Sequence, residues 1–145
     1  MRLSNLTDYA VVTMSALARH CGQASLVDAD RKRRGRTSAG QLAAETGLPA
    51  PTVAKVVSRL TAAGLLRSVR GAGGGLQLAR PAAAITLADI VEAMEGPIGL
   101  AACNHGECAI EGCCTVRPHW PLINQTLRGA LAGIPLTRLS AGVAA

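Results

Sequence analysis

Residues 37 to 60 constrain the fold more tightly than any other stretch of this chain. Thr37 can cap a short helix running through Gln41, Leu42, Ala43 and Ala44 to about Thr46, because a side-chain oxygen there satisfies an N–H that the first turn leaves unpaired. Gly47 stops that helix, as the residue that accepts left-handed backbone at a helix end. Leu48 and Pro49 fill a tight turn, and Pro51 suits the first position of a second helix, where a missing N–H costs nothing. Val53, Val56, Val57 and Leu60 follow at i, i+3, i+4 and i+7, so that face must be buried. Thr52, Lys55 and Arg59 occupy the opposite face. Short helix, glycine turn and second helix with a polar outer side make a helix-turn-helix.

The residues that follow restrict the fold further. Leu65, Leu66, Ser68 and Val69 read as a strand, Arg70-Gly71-Ala72-Gly73-Gly74-Gly75 as a tip, and Leu76, Gln77 and Leu78 as a return strand before Pro81. A hairpin placed directly after a helix-turn-helix is a wing. Its glycines permit positive φ and let backbone approach a phosphate closely. A nucleotide-binding phosphate loop is disfavoured, since no GK[ST] follows the glycines.

Around this centre the periodicity supplies more helices. Thr7 with Asp8 in the first turn suits a helix start, and Leu6, Tyr9, Ala10, Thr13, Met14 and Leu17 give that helix an apolar face. Residues 20 to 36 read as a loop ending in the run Asp30-Arg31-Lys32-Arg33-Arg34-Gly35-Arg36, either a solvated loop or an auxiliary phosphate contact. Another helix starts at Thr86, with Leu87, Ile90, Val91 and Met94 on one face, and ends at Gly96-Pro97. A last long helix begins near His119 to Pro121, with Trp120, Ile123, Leu127, Ala130, Leu131 and Ile134 as its stripe. That stripe either closes the monomer core or pairs with a second subunit. The expected architecture is mainly α with a small β-hairpin: a winged helix-turn-helix over 1–97, a cysteine loop over 98–118, and a dimerisation helix and tail over 119–145.

Composition agrees with a small helical core. The chain has 145 residues, 49% of them apolar, yet no Phe, one Trp and one Tyr, so Leu, Val, Ile and Ala must do the packing. No apolar run reaches the ~18 residues that a membrane span needs, and the opening MRLSNLTDYA has no signal-peptide core. A cytoplasmic location is the expectation. Fifteen Lys and Arg against nine Asp and Glu leave a net charge of +6, which favours a polyanionic partner. No Ser-His-Asp set, paired carboxylates or nucleotide fingerprint marks an enzyme, and His20, His105 and His119 lack a zinc-protease spacing.

Cys103, Cys108, Cys113 and Cys114 fall within twelve residues, while Cys21 stands apart. Thiolates this close repel unless protonated, oxidised or bound to a cation, and inside cells metal binding is the usual resolution. Structural zinc favours C-x2-C pairs, which are absent from this loop. The wider spacing suits a two-iron cluster. Spacing alone leaves iron–sulfur, zinc and a thiol redox switch open.

Taken in order, MRLSNLTDYA, GLPAPTVAKVVSRL, SVRGAGGGLQLARP, ITLADIVEAMEGP and the cysteine loop followed by VRPHWPLIN resemble the IscR/NsrR family of bacterial regulators over nearly the whole chain. The subset controlling iron–sulfur assembly, the SUF-type regulators, is most similar. The resemblance implies a homodimer that binds a palindromic operator on double-stranded DNA and carries a 2Fe–2S cluster on three cysteines and one further ligand. By position these are Cys103, Cys108 and Cys114, the last because it directly precedes Thr115-Val116-Arg117. Cys113 is then an extra thiol. The interval between Cys103 and Cys108 is four residues, shorter than the family's usual five or more. One branch places its fourth ligand, a histidine, where this chain has Arg117. Another uses an acidic residue from the partner's first helix, and Asp8 matches that place; His105 is a local alternative.

DNA contacts follow from geometry and resemblance together. Pro51, Thr52 and Lys55 open the recognition helix, where base edges can be reached, and Ser68, Arg70 and Gly71 belong to the wing, whose Arg can enter the minor groove or pair with phosphate. Arg59 lies further down the helix and reads as a salt-bridging residue. Ala54 stands where some relatives carry an acidic residue. The function implied is a transcription regulator whose operator affinity follows its cluster. The alternatives are a nitric-oxide, iron or redox sensor on the same scaffold, or a zinc-binding winged-helix interaction module.

Overall fold

The structure is a computed structural model and describes residues 2–23, 36–101, 103, 106–110 and 112–141. The part of the basic run at 30–35, His105 and the last four residues of the third unit lie outside the described residues.

The first helix, α1 (Asn5–Gln23), starts two residues before Thr7. Ser4 begins it, since its carbonyl and hydroxyl both accept from the Thr7 N–H, at 3.0 and 3.3 Å. Ala10, Met14 and Leu17 are wholly buried on its inner face, with the Thr7 and Thr13 side chains among them. Leu6 and Tyr9 pack half-buried at the edge.

The helix-turn-helix forms from α2 (Ala39–Thr46) and α3 (Ala50–Ala62). Ser38, not Thr37, caps α2. Its hydroxyl accepts from Gln41 N–H while the Gln41 side chain accepts from the Ser38 N–H, a reciprocal capping box. Thr37 is unavailable for that role because its backbone is extended and bonded to Leu76 in both directions, at 3.1 and 2.7 Å. Gly47 closes α2 at φ 74°, the left-handed conformation the sequence requires there. In α3, Pro49 takes the cap position, so Pro51 is the second helical residue rather than the first; neither place needs an N–H. Val53, Val56 and Leu60 are fully buried, and Val57 partly.

The wing is the antiparallel pair β1 (Leu66–Val69) and β2 (Gly75–Leu78), with Leu66 opposite Leu78 and Ser68 opposite Leu76. Leu66, Leu76 and Leu78 turn inward to the core, whereas Arg67 and Ser68 stay exposed. Thr37 adds a short third rung along β2. A 3₁₀ turn over Ala82–Ala84 then leads to α4 (Leu87–Glu95). Thr86 and Asp89 cap α4 with a second capping box, and Ala88, Ile90, Val91 and Met94 are buried.

Beyond the cysteine loop, a 3₁₀ turn (Arg117–His119) enters α5 (Trp120–Ala132), on which no residue is fully buried. The chain after α5 does not continue as a tail. It doubles back as α6 (Leu136–Ser140), and Leu136 is completely buried in the core of the winged helix. Hydrogen bonds from Leu136 N–H to the Ile85 carbonyl (2.8 Å) and from Leu87 N–H to the Ile134 carbonyl (2.9 Å) fasten this return. The result is a winged helix-turn-helix with an outlying helix, mainly α as expected. No described helix is long and apolar enough to cross a membrane.

Candidate functional site

Two surfaces carry the chemistry-bearing residues. The first is built by α3 and the wing. Burial of Val53, Val56 and Leu60 turns the opposite side of α3 outward, so that Pro51 and Lys55 are exposed and Thr52 is half-buried. Ser68 is exposed on β1, and Arg70 and Gly71 at the tip, where Gly71 takes φ 95°. An open groove of ≈ 410 Å³ runs between the start of α2, α3 and the wing, lined by Ser38, Ala54, Ser58, Ser68 and Gly75 among others. Ser68 is therefore brought beside α3.

Among the described residues the hydrogen bond of Arg59 goes to a carbonyl rather than a carboxylate, although its charge also helps to lower the Glu95 carboxyl. Arg59 Nη1 donates to the Met94 carbonyl at 3.1 Å, at the C-terminal end of α4, where the last carbonyls have no partner within the helix. That last turn of α4 also holds two other helices. Glu92 takes Arg128 of α5 in a two-pronged pair, Nε to Oε1 at 2.9 Å and Nη2 to Oε2 at 3.1 Å. Glu95 accepts from the Ser4 N–H at 2.9 Å and from the Thr7 hydroxyl. The hydroxyls of Ser4 and Thr7, and then the Ser4 N–H, hold the Glu95 carboxyl below its ordinary value. One helical turn thus joins α1, α3 and α5, and the chain leaves it at Gly96 directly into the cysteine loop.

The second surface is the loop itself. Cys103, Cys108 and Cys114 line one hollow of ≈ 300 Å³, together with Ala101, Ile110, Val116, Arg117 and Trp120. Cys113 lies outside that lining and is exposed, its Sγ 3.6 Å from the Ile110 carbonyl. The five cysteines form no disulfide, and Cys21 sits at the far end of α1. Asp8 is exposed on the first turn of α1 and does not line the hollow of its own chain.

The donor chemistry fits an iron–sulfur group. Three thiols open onto a partly open wall otherwise made mostly of hydrocarbon, and such soft donors are the ones that iron–sulfur clusters take. Among the described residues, no three metal-ligating side chains are close enough together to form a metal-binding group. The three thiols thus line one hollow without closing on one another. Sequence reasoning did not reach the walls: Trp120 read as part of the last helix's stripe, and Val116 only as part of the run that follows Cys114.

Comparison with known proteins follows the same lines. The profile of the Rrf2 family, described as iron-dependent transcriptional regulators, matches residues 3–142. Among solved structures, CymR (YrzC), the global cysteine regulator of B. subtilis, is 28% identical with a TM-score of 0.72 over 97% of both chains. IscR of T. potens is 27% identical with a TM-score of 0.67 over 96% of this chain and 85% of that one. The oxidised form of Staphylococcus aureus CymR is 28% identical, with a TM-score of 0.66 and full coverage of both. With a family profile spanning nearly its whole length and a winged helix to match, this chain belongs to the Rrf2 family of transcription regulators.

Proposed function

We propose that this regulator works in the cytoplasm as a homodimer on a palindromic DNA operator, with its affinity governed by a 2Fe–2S cluster, and that it controls iron–sulfur assembly genes. The observation that carries the reading is the shared hollow of Cys103, Cys108 and Cys114, from which Cys113 is excluded. Those three thiols would hold the cluster, and Asp8 of the partner subunit would complete it. A bound cluster would supply a centre that oxidants and nitric oxide can attack. The units at work are the DNA-binding part over 1–97, the cysteine loop over 98–118 and the dimerisation helix from 119, after which α6 returns to the core of the first unit.

The chain's own residues divide the labour. Lys55 and Arg70 neutralise or read the duplex, Pro51 and Thr52 set the approach of the recognition helix, and Ser68 and Gly71 let the wing lie against the backbone. The last turn of α4 stands between the loop and Arg59 of the recognition helix. A rearrangement of residues 103–114 therefore has a short route to the DNA-reading surface. A difference of ~1–3 kcal/mol between loop states corresponds to a change in operator affinity of roughly 5- to 150-fold.

A second reading keeps the scaffold and dispenses with the cluster: a regulator governed by thiol oxidation. The likeness to CymR, a cysteine regulator solved also in an oxidised form, favours it, as does the open spacing of the thiols. Anaerobic purification separates the two. The cluster reading expects a reddish-brown protein with iron and acid-labile sulfide in equal amounts; colourless protein that resists reconstitution overturns it. For the DNA surface, Lys55→Ala and Arg70→Ala should each weaken binding and flatten its salt dependence. Binding left intact in both would remove the proposed interface.

A further inference from the structure

The wing tip is built from backbone that is expensive to hold still. Gly71, Gly73 and Gly75 take φ of 95°, 81° and 148°, and glycine loses more conformational freedom on ordering than any other residue. A two-stranded hairpin supplies little rigidity of its own. Within the tip, one bond from Gly74 N–H to the Gly71 carbonyl at 2.8 Å tightens the turn.

The remaining restraint comes from outside the hairpin. Arg36 Nη1 donates to the Gly73 carbonyl at 2.8 Å, across 37 positions of sequence. The next residue, Thr37, is bonded to Leu76 in both directions. The two backbones run so close that a Cβ on Gly75 would sit 3.0 Å from the Thr37 carbonyl oxygen and 3.4 Å from Arg36 Cβ. Ser38 then caps α2. Three consecutive residues thus fix the tip, the edge of β2 and the start of the helix-turn-helix to one another.

From this we infer that Arg36 is a positioning residue for DNA binding: its guanidinium clamps the wing tip in place beside the recognition helix, so that Arg70 and Gly71 meet the duplex already ordered. This differs from both roles that a basic loop suggests, since Arg36 spends a donor on protein carbonyl instead of solvent or phosphate. A donor that carries charge makes the stronger kind of hydrogen bond. Ordering the tip before association removes a cost that would otherwise be drawn from binding. The inference rests on the DNA-binding reading above.

The test uses the full chain and a duplex enriched from a randomised pool by the wild-type protein. Affinity is measured over a series of salt concentrations, and backbone hydrogen exchange at residues 73–76 is followed without DNA. Arg36→Ala should weaken binding roughly 2- to 13-fold, the range expected for losing the net contribution of one solvent-exposed hydrogen bond. It should leave the slope of log affinity against log salt unchanged and speed exchange at the tip. Arg36→Lys, which keeps a charged donor, should recover part of both. Arg70→Ala should instead lower the slope by about one. If Arg36→Ala lowers the slope as Arg70→Ala does, Arg36 is a direct phosphate contact and the inference fails. Unchanged affinity and exchange in Arg36→Ala also overturn it. Should Lys55→Ala and Arg70→Ala leave binding intact as well, the DNA surface itself is misplaced, a failure distinct from that of Arg36 alone.

Discussion

Glu95 shows how much one side chain can be asked to do. Its ionised carboxyl receives Ser4 and Thr7 at the start of α1, and those donors favour the charged form, so its folded value falls below the ordinary 4.5. A carboxyl depressed in this way adds stability above its unfolded value and loses that stability as pH falls through the folded one. The thermal midpoint of the wild type should therefore drop more steeply below about pH 4.5 than that of Glu95→Gln; because the carboxyl remains in contact with water, the difference should be modest. Parallel acid limbs in the two profiles would show that these bonds carry no linkage. The cysteines make a second case at this scale. Cys103→Ser, Cys108→Ser and Cys114→Ser should each abolish retention of iron and sulfide, whereas Cys113→Ser should keep both. The reverse pattern for the last two would move the ligand register by one residue.

At the level of elements, the turn between α2 and α3 is the sharpest test of how sequence sets shape. Nothing lies within 4 Å of where a Cβ on Gly47 would sit, yet its φ is 74°. Gly47→Ala should thus cost about 1–2 kcal/mol from backbone conformation alone, measured by urea unfolding; a neutral result would mean that the turn relaxes out of the left-handed region. This turn, the wing and the bounds of α4 were legible in the chain because each depends on neighbours in sequence: periodicity, glycine, proline and capping side chains. The exchange of Thr37 for Ser38 as cap was not, since what removes Thr37 is a strand nearly forty residues away. Arg36 reaching Gly73 and the return of α6 into the core were hidden for the same reason. In the cysteine loop, spacing could name the thiols but not the hydrocarbon walls, which come from Ala101, Ile110 and Val116 of the loop and from Trp120 at the head of α5.

For the molecule as a whole, α5 is the element whose apolar side chains are least covered. Leu122 and Ile123 are 66% and 38% exposed, and the helix is tied to the rest by the Arg128–Glu92 pair and by the Leu100 N–H donating to Asn124 Oδ1. A second copy of the chain is the partner that the proposed function assigns to this face. Ile123→Asp should leave the fold of the winged helix intact and shift sedimentation from dimer to monomer; an unmoved dimer would place the interface elsewhere. Trp120 stands at the root of the same helix and on the wall of the cysteine hollow, and it is the protein's sole tryptophan. Its ultraviolet emission therefore comes from one address. An absorbing group lodged beside it would drain that light by energy transfer, and its departure would restore the signal, so the chain carries an optical gauge of its own hollow without any added label.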